Sequence, residues 1–279
     1  MTLSTDIDIS QVAPARSLRE GRPRRPLPVA VISAVTVAAI IALWSLASAY
    51  ALVSPVFLPS PRQVVLAIYN LIVTGFVDAT LAEHLGASLY RIFGALIVSI
   101  ALGIPAGIAI GTSRVGRGIL DPVVEFLRPL PPLAYLPLII IWVGIGEASK
   151  ITVIALAMLP SIILSTSAGV RSVSKDHVNA ARSLGASRRQ VLTEVVLPSA
   201  VPSILTGVRI ALGAGWTTLV AAELVAATSG IGFMIQSAAQ FLVTDIVIAG
   251  IVVIALVAIL LEFIARQIER RLVPWAAHR

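Results

Sequence analysis

The sequence predicts an all-α membrane protein of six transmembrane helices with both termini on the cytoplasmic side. Composition is the first reason. Of 279 residues, 57% are hydrophobic and 13% charged, and the mean hydropathy is +0.96, too apolar for a soluble domain that needs a polar exterior. The second is six apolar segments near the roughly 20 residues that cross about 30 Å of hydrocarbon: Val29 to Val53, Ser88 to Gly111, Val123 to Val143, Ile151 to Val170, Ala200 to Ala226 and Leu242 to Ala265. The third is where the cations fall. One set of alternate loops and tails holds Arg16, Arg19, Arg22, Arg24, Arg25, Arg114, Arg117, Arg171, Lys175, Arg182, Arg188, Arg189, Arg266, Arg270, Arg271 and Arg279, and the other holds Arg62 and Lys150. Arg91, Arg128 and Arg209 sit at or inside span ends and are not counted. Sixteen against two puts the first set in the cytoplasm by the positive-inside rule. The net charge of +7 is therefore a topology signal and not a nucleic-acid footprint. The chain has no cysteine, which excludes disulfides, thiol nucleophiles and cysteine metal sites.

Residues 1–28 form a cytoplasmic tail. The first span follows basic residues, and Ala47-Ser48-Ala49 resembles a signal cleavage site, but its apolar core exceeds the roughly 7 to 15 residues of a signal, so it is read as a retained helix. Residues 29–87 hold this span and a periplasmic loop. In that loop Pro61 to Gly75 carries Val64, Val65, Ile68, Leu71 and Ile72 at helical spacing, an amphipathic helix at the interface whose expected role is packing on the bundle, with contact to a partner as the alternative. Residues 88–268 form the core and 269–279 a second cytoplasmic tail.

In the second span Gly103, Gly107 and Gly111 recur every four residues, clearing one helix face for a neighbouring backbone; Pro105 among them is expected to bend the helix. The third span has Glu125 and Arg128 near its start and Pro129, Pro131, Pro132 and Pro137 within it. Backbone freed by proline at membrane depth needs protein or cavity water, so Arg128 to Trp142 is a kink against sister helices or part of a pathway wall.

Between the fourth and fifth spans lies a charged, helix-forming island, NAARSLGASRRQ (Asn179 to Gln190). Ser174 or Asp176 can cap a short helix running through Ala180 and Ala181 to Leu184, and Gly185 suits the left-handed residue that ends it. Ser187 starts a second helix, with Gln190 completing a capping box, and Pro198 ends it or begins the next span. Val178, Ala181 and Leu184 share a face. A stiff knob of this kind suits a partner that pushes on it; a loop folded on its own bundle fits the residues equally well.

Asn179-Ala180-Ala181, Gly185, Val195 and Leu197-Pro198 resemble the EAA motif of ABC-importer permeases of the type I fold, with matching spacing from Ala181 to Gly185 and from Gly185 to Pro198. Leu127 to Lys150 looks like the permeases of nitrate, sulfonate and taurine importers, and Gly75 to Ile92 and Thr217 to Ile251 look closest to the taurine group. The resemblance runs from about Ser54 to Trp275. It implies a bacterial inner-membrane subunit that translocates taurine by alternating access, with another aliphatic sulfonate or nitrate as the near alternative. It also implies a second copy of the permease, two ATPase subunits that bind MgATP and a periplasmic binding protein. Ala180, Ala181 and Gly185 would lie in a coupling helix within residues 174–198, together with Asp176, Leu184, Ser187, Leu197 and Pro198. Asn179 replaces the family's usual Glu, so an ion pair from that position does not carry over, although Asp176 stands one turn earlier. A leucine at Gly185 is expected to overfill the turn.

No Gly-x-x-x-x-Gly-Lys-Ser/Thr cradle occurs, so this chain is not expected to bind ATP in the usual way; the resemblance implies a transport subunit, not an enzyme, with no cofactor of its own. For a hydrated sulfonate, candidate pathway donors are Trp142, Trp216, Thr217 and Thr218, with packing as the plainer reading of each. Glu223, an intramembrane carboxylate, fits contact with taurine's ammonium, gating or helix bonding. Arg91 and Arg209 fit anion attraction or snorkelling. Gly144-Ile145-Gly146 and Gly230-Ile231-Gly232 fit an outer gate or ordinary turns. An ion-coupled secondary carrier, the rival class, calls for more intramembrane carboxylates or broken repeats than are visible. An intramembrane hydrolase calls for a histidine at depth, and His84, His177 and His278 fall outside the six segments.

Overall fold

A computed structural model describes residues 28–274 of the chain. The basic tail with Arg16, Arg19, Arg22, Arg24 and Arg25, and Trp275, His278 and Arg279 at the other end, lie outside the described residues. The chain divides into two units, Met1–Leu46 and Ala47–Arg279. The first unit carries most of helix α1 (Val29–Ala49). Within α1 the Thr36 and Ser45 hydroxyls donate to the carbonyls of Ile32 and Ile41 at 2.9 and 2.8 Å, which satisfies groups that hydrocarbon cannot.

Among its described residues the second unit is helical, apart from turns, loops and one isolated bridge between Phe76 and Ala79. Its helices are α2 (Pro61–Val73), α3 (Leu81–Thr112), α4 (Arg114–Leu127), α5 (Leu136–Val143), α6 (Glu147–Arg171), α7 (Lys175–Ser183), α8 (Arg188–Gln190), α9 (Leu197–Ala226), α10 (Ile231–Gln240) and α11 (Thr244–Leu272). Among the described residues five helices are long and apolar enough to cross a membrane. The sixth span is not one helix: α4 and the stretch Pro132–Val143 meet at a bend of 96°. The physical reason is the proline cluster. Pro129, Pro131 and Pro132 supply no backbone N–H, and Pro131, which precedes Pro132, is held out of the helical region at φ −65° and ψ 126°.

Two starts are encoded locally. Ser60 and Gln63 form a capping box at α2, and Thr80 and Glu83 form another at α3. α3 therefore begins at Leu81, seven residues before the predicted span, and takes in His84. Helix α2 buries Val64, Ala67 and Leu71 and lies on α11, as its spacing foretold, although Val65 and Ile72 face outward.

Helix α6 is the centre of the bundle, packed along α3 on one side and α9 on the other. The three α3 glycines each meet one α6 side chain, a turn apart. A Cβ built on Gly103 would stand 2.9 Å from Ile162, one on Gly107 2.5 Å from Thr166, and one on Gly111 2.6 Å from Val170. On the other side Gly169 receives Ser203, Gly207 receives Ser165 and Gly215 receives Met158. Close backbone approach replaces the hydrophobic drive that lipid removes. A core cluster forms at the same place, around Ile92, Ile154, Met158, Ile162 and Leu219.

Candidate functional site

The island between α6 and α9 folds as two capped helices. The Ser174 hydroxyl accepts from the Asp176 N–H at 3.2 Å to start α7. Gly185 ends it at φ +85°, with the Ala186 N–H returning to the Ala181 carbonyl at 3.0 Å. Ser187 and Gln190 close a capping box on α8. No atom lies within 4 Å of a Cβ built on Gly185. The expected overfilling is thus corrected: backbone conformation, not crowding, requires glycine there. Beyond α8 the chain runs through a π turn, Val191–Val196, directly into α9. Pro198 neither ends α8 nor breaks the rod. Its missing N–H and its ring, opposed to the Glu194 carbonyl, are absorbed by widening the preceding turn, and the Leu197 N–H reaches back to the Leu192 carbonyl.

Of the face Val178, Ala181 and Leu184, the first two pack inward with Val170, Val191 and Val196, whereas Leu184 is 89% exposed. The loop-on-its-own-bundle alternative therefore describes one side of α7. The other side presents Asp176, Asn179 and Ala180 to solvent together with Leu184 and Gly185. The side chains of Asp176 and Asn179 make no hydrogen bond or ion pair among the described residues.

A second feature is a cavity of about 290 Å³ where the 96° bend faces α6 and α9, lined among others by Arg128, Pro132, Tyr135, Ser161, Thr217 and Thr218. The proline-rich segment is thus both a kink and a cavity wall. Thr217 and Thr218 are present, but both hydroxyls donate to the Ala214 carbonyl at 2.9 Å, so neither offers a free proton. Trp216 turns the other way into the core cluster, with its indole N–H unpartnered. Trp142 is 72% exposed near the far end of α5 and does not line the cavity.

The third feature was the least legible. Arg91, on α3 and only 1% exposed, donates from Nε to Glu147 Oε2 at 2.6 Å and from Nη2 to Glu147 Oε1 at 2.8 Å. Its Nη1 donates to Glu223 Oε1 at 2.6 Å and to the Ser229 carbonyl at 2.7 Å. Lys150 adds a bond to Glu147 at 2.9 Å. Arg91 therefore neither snorkels nor faces a pathway; it joins α3, α6 and α9. Glu223, also 1% exposed, accepts from Ser88 Oγ at 2.8 Å and from the Gly232 N–H at 2.8 Å. Helix bonding is thus the reading of Glu223 that the geometry favours. The Gly230 N–H donates to His84 Nδ1 at 3.1 Å and the Ile231 N–H to Ser88 Oγ at 3.0 Å. Three successive N–H groups opening α10 are held by side chains of α3 and α9, where a carboxylate also complements the helix dipole.

Gly230, at φ +121°, lies so close to the Arg91–Glu223 pair that a Cβ there would stand 2.6 Å from Arg91 Nη1. It is a pinned turn, in contrast to Gly144 and Gly146, which have open space around them. His84 lies inside α3, which corrects its placement outside the spans. Its ring nitrogens engage the Phe76 carbonyl and Gly230, while Ser88 donates to Glu223, so no serine–histidine couple forms. Arg209 pairs with Glu269 at 3.1 Å and lies 3.8 Å from Glu262 on α11.

The structure is a membrane-type helical bundle with a capped, exposed helix pair at one end of its central helix and a cavity at a broken span. Residues 99–274 match the family described as binding-protein-dependent transport system inner membrane component, and the chain belongs to that family. It is 55% identical to the taurine transport system permease protein TauC of Escherichia coli (strain K12) over 88% of this chain and 89% of that one. It is 39% identical to the putative aliphatic sulfonates transport permease protein SsuC of Bacillus subtilis (strain 168) over 85% of each chain. Among solved structures, an inward-facing conformation of the MetNI methionine ABC transporter superposes with a TM-score of 0.59 at 20% identity, covering 67% of this chain and 93% of that one. The protein is thus an inner-membrane ABC-importer permease, a transport subunit that works with an ATPase and a substrate-binding protein.

Proposed function

We propose that this permease carries taurine inward, as a pair of copies served by two ATPase subunits that bind MgATP and by a periplasmic binding protein. The observation that carries the substrate is the 55% identity to the taurine permease, set against 39% to the aliphatic-sulfonate permease. The charge asymmetry supports an orientation with both termini and the α7–α8 pair in the cytoplasm. The exposed side of α7, from Asp176 through Asn179 and Ala180 to Leu184 and Gly185, is the docking element for the ATPase. Because α8 continues through the π turn into α9, a push on α7 and α8 reaches the bundle as a rigid-body displacement. Closure of the ATPases on ATP opens the bundle outward, and hydrolysis resets it.

The test is uptake of labelled taurine into vesicles holding the complete importer, with ATP supplied inside. We expect uptake that needs ATP and binding protein and is indifferent to proton or sodium gradients; gradient-driven uptake without ATP would make this a secondary carrier. Gly185→Leu, which forces a side chain onto φ +85°, should sharply reduce ATP-driven uptake. Unchanged uptake in that variant would remove α7–α8 from the coupling role. Uptake of other aliphatic sulfonates or nitrate in preference to taurine would reassign the substrate.

A further inference from the structure

We propose that Arg128, at the break between α4 and α5, is the contact through which the permease itself holds the anionic head of its substrate during passage, with Tyr135 and Ser161 as supporting donors. This rests on the reading that the cargo is an organic sulfonate.

Depth is the first observation. Pro160 and Ser161, which line the cavity beside Arg128, fall at the middle of the 25-residue α6. The cavity is thus level with the centre of a spanning helix, where an ionisable side chain is costly and needs a functional reason. Partnering is the second. Of the charged side chains at span ends or within spans, Arg91 has two carboxylates and Arg209 has Glu269. Arg128 has no hydrogen bond or ion pair from its guanidinium among the described residues, and the Tyr135 and Ser161 hydroxyls are likewise unpartnered. Three free donor groups line one cavity, and none of its lining residues is a carboxylate.

Chemistry is the third observation. A planar guanidinium offers paired N–H donors that match two oxygens of a sulfonate, and the anion recovers there part of the hydration it loses on entering the bundle. A single exposed arginine holds without trapping, which conduction through a membrane requires. About 290 Å³ lies just below the roughly 300–1,000 Å³ of drug-sized ligand sites, suited to a small anion. Discontinuous helices commonly build such sites at mid-membrane. With no carboxylate in the lining, the site reads the sulfonate head and not an amine at the other end.

The experiment measures taurine moved per ATP hydrolysed by the full importer in vesicles, alongside ATPase stimulation by loaded binding protein. Arg128→Gln should lower the transport ratio about tenfold or more while leaving stimulation near wild type, and Arg128→Lys should fall between. A wild-type ratio in Arg128→Gln overturns the proposal, as does a parallel loss of transport and stimulation in both variants, which marks a structural arginine. If Arg128→Gln does not assemble, Tyr135→Phe combined with Ser161→Ala decides: an unchanged ratio overturns the proposal and a reduced one supports it. A wild-type complex that moves nitrate but no sulfonate sinks the proposed substrate alone, and Arg128→Gln is then scored on nitrate.

Discussion

Arg91→Leu removes the only cation held against Glu223 among the described residues. The two carboxylates that lose Arg91 are not equivalent. Glu147 is 44% exposed in its side chain and keeps Lys150 at 2.9 Å, so water and that lysine compensate it. Glu223 is 1% exposed and is left with two neutral donors, Ser88 Oγ and the Gly232 N–H. Removing one partner of a buried pair costs about 3–5 kcal/mol, mainly from the charge left behind. At roughly 2–4 °C per kcal/mol for a chain of this size, the apparent Tm should fall by about 10 °C. Adding Glu223→Gln removes the orphan charge while an amide still accepts from Gly232. The double variant should therefore recover about 2 kcal/mol or more relative to Arg91→Leu, a strongly non-additive cycle. The assay is thermal unfolding of the purified permease in detergent, all four corners in one buffer. A drop below about 3 °C for Arg91→Leu, or no recovery in the double variant, would refute the claim that this pair anchors α3 to α9.

Three further outcomes follow from the packing and the caps. Gly107→Val would drive a side chain into Thr166 and the Ile163 carbonyl, 2.5 and 2.7 Å from the built Cβ; overpacking of this kind costs about 1–3 kcal/mol and should lower Tm. Gly86→Ala, with nothing within 4 Å, should leave Tm unchanged or raise it, by up to about 1 kcal/mol of helix propensity; a loss equal to that of Gly107→Val would show that the α3–α6 contact is not what sets the difference. Ser187→Ala removes the side-chain half of the α8 capping box, a loss of about 1 kcal/mol, and should weaken ATPase stimulation by loaded binding protein more than it lowers Tm. The reverse ranking would place Ser187 in stability and not in coupling.

Legibility in the sequence followed the range of the interaction. The helix pair at residues 174–198, its caps at Ser174 or Asp176 and at Ser187, and its turn at Gly185 were readable because a cap joins residues two or three apart; the fold chose Ser174. The glycine face of α3 was readable because it is a one-helix period. The inward face of α7 was not, because Val178 and Leu184 look alike in a periodic pattern and only the neighbouring Val170 and Val196 separate them. Thr217 and Thr218 promised donors, but their hydroxyls bond back to their own helix, a choice that depends on rotamer and not on residue type.

What the sequence by itself determined is whatever a few neighbouring residues or a whole-chain sum decides: a membrane bundle, most of its spans, and a resemblance that the family match bears out. Tertiary structure alone decided that Arg91 meets Glu147 and Glu223, 56 and 132 residues away, and that Arg128 meets no carboxylate among the described residues. It also decided that the third span breaks at 96° to open a cavity. The reason is physical. A charge in a low-dielectric bundle takes its meaning from whichever groups the fold brings within about 3 Å, and that distance is set by helices packed from opposite ends of the chain.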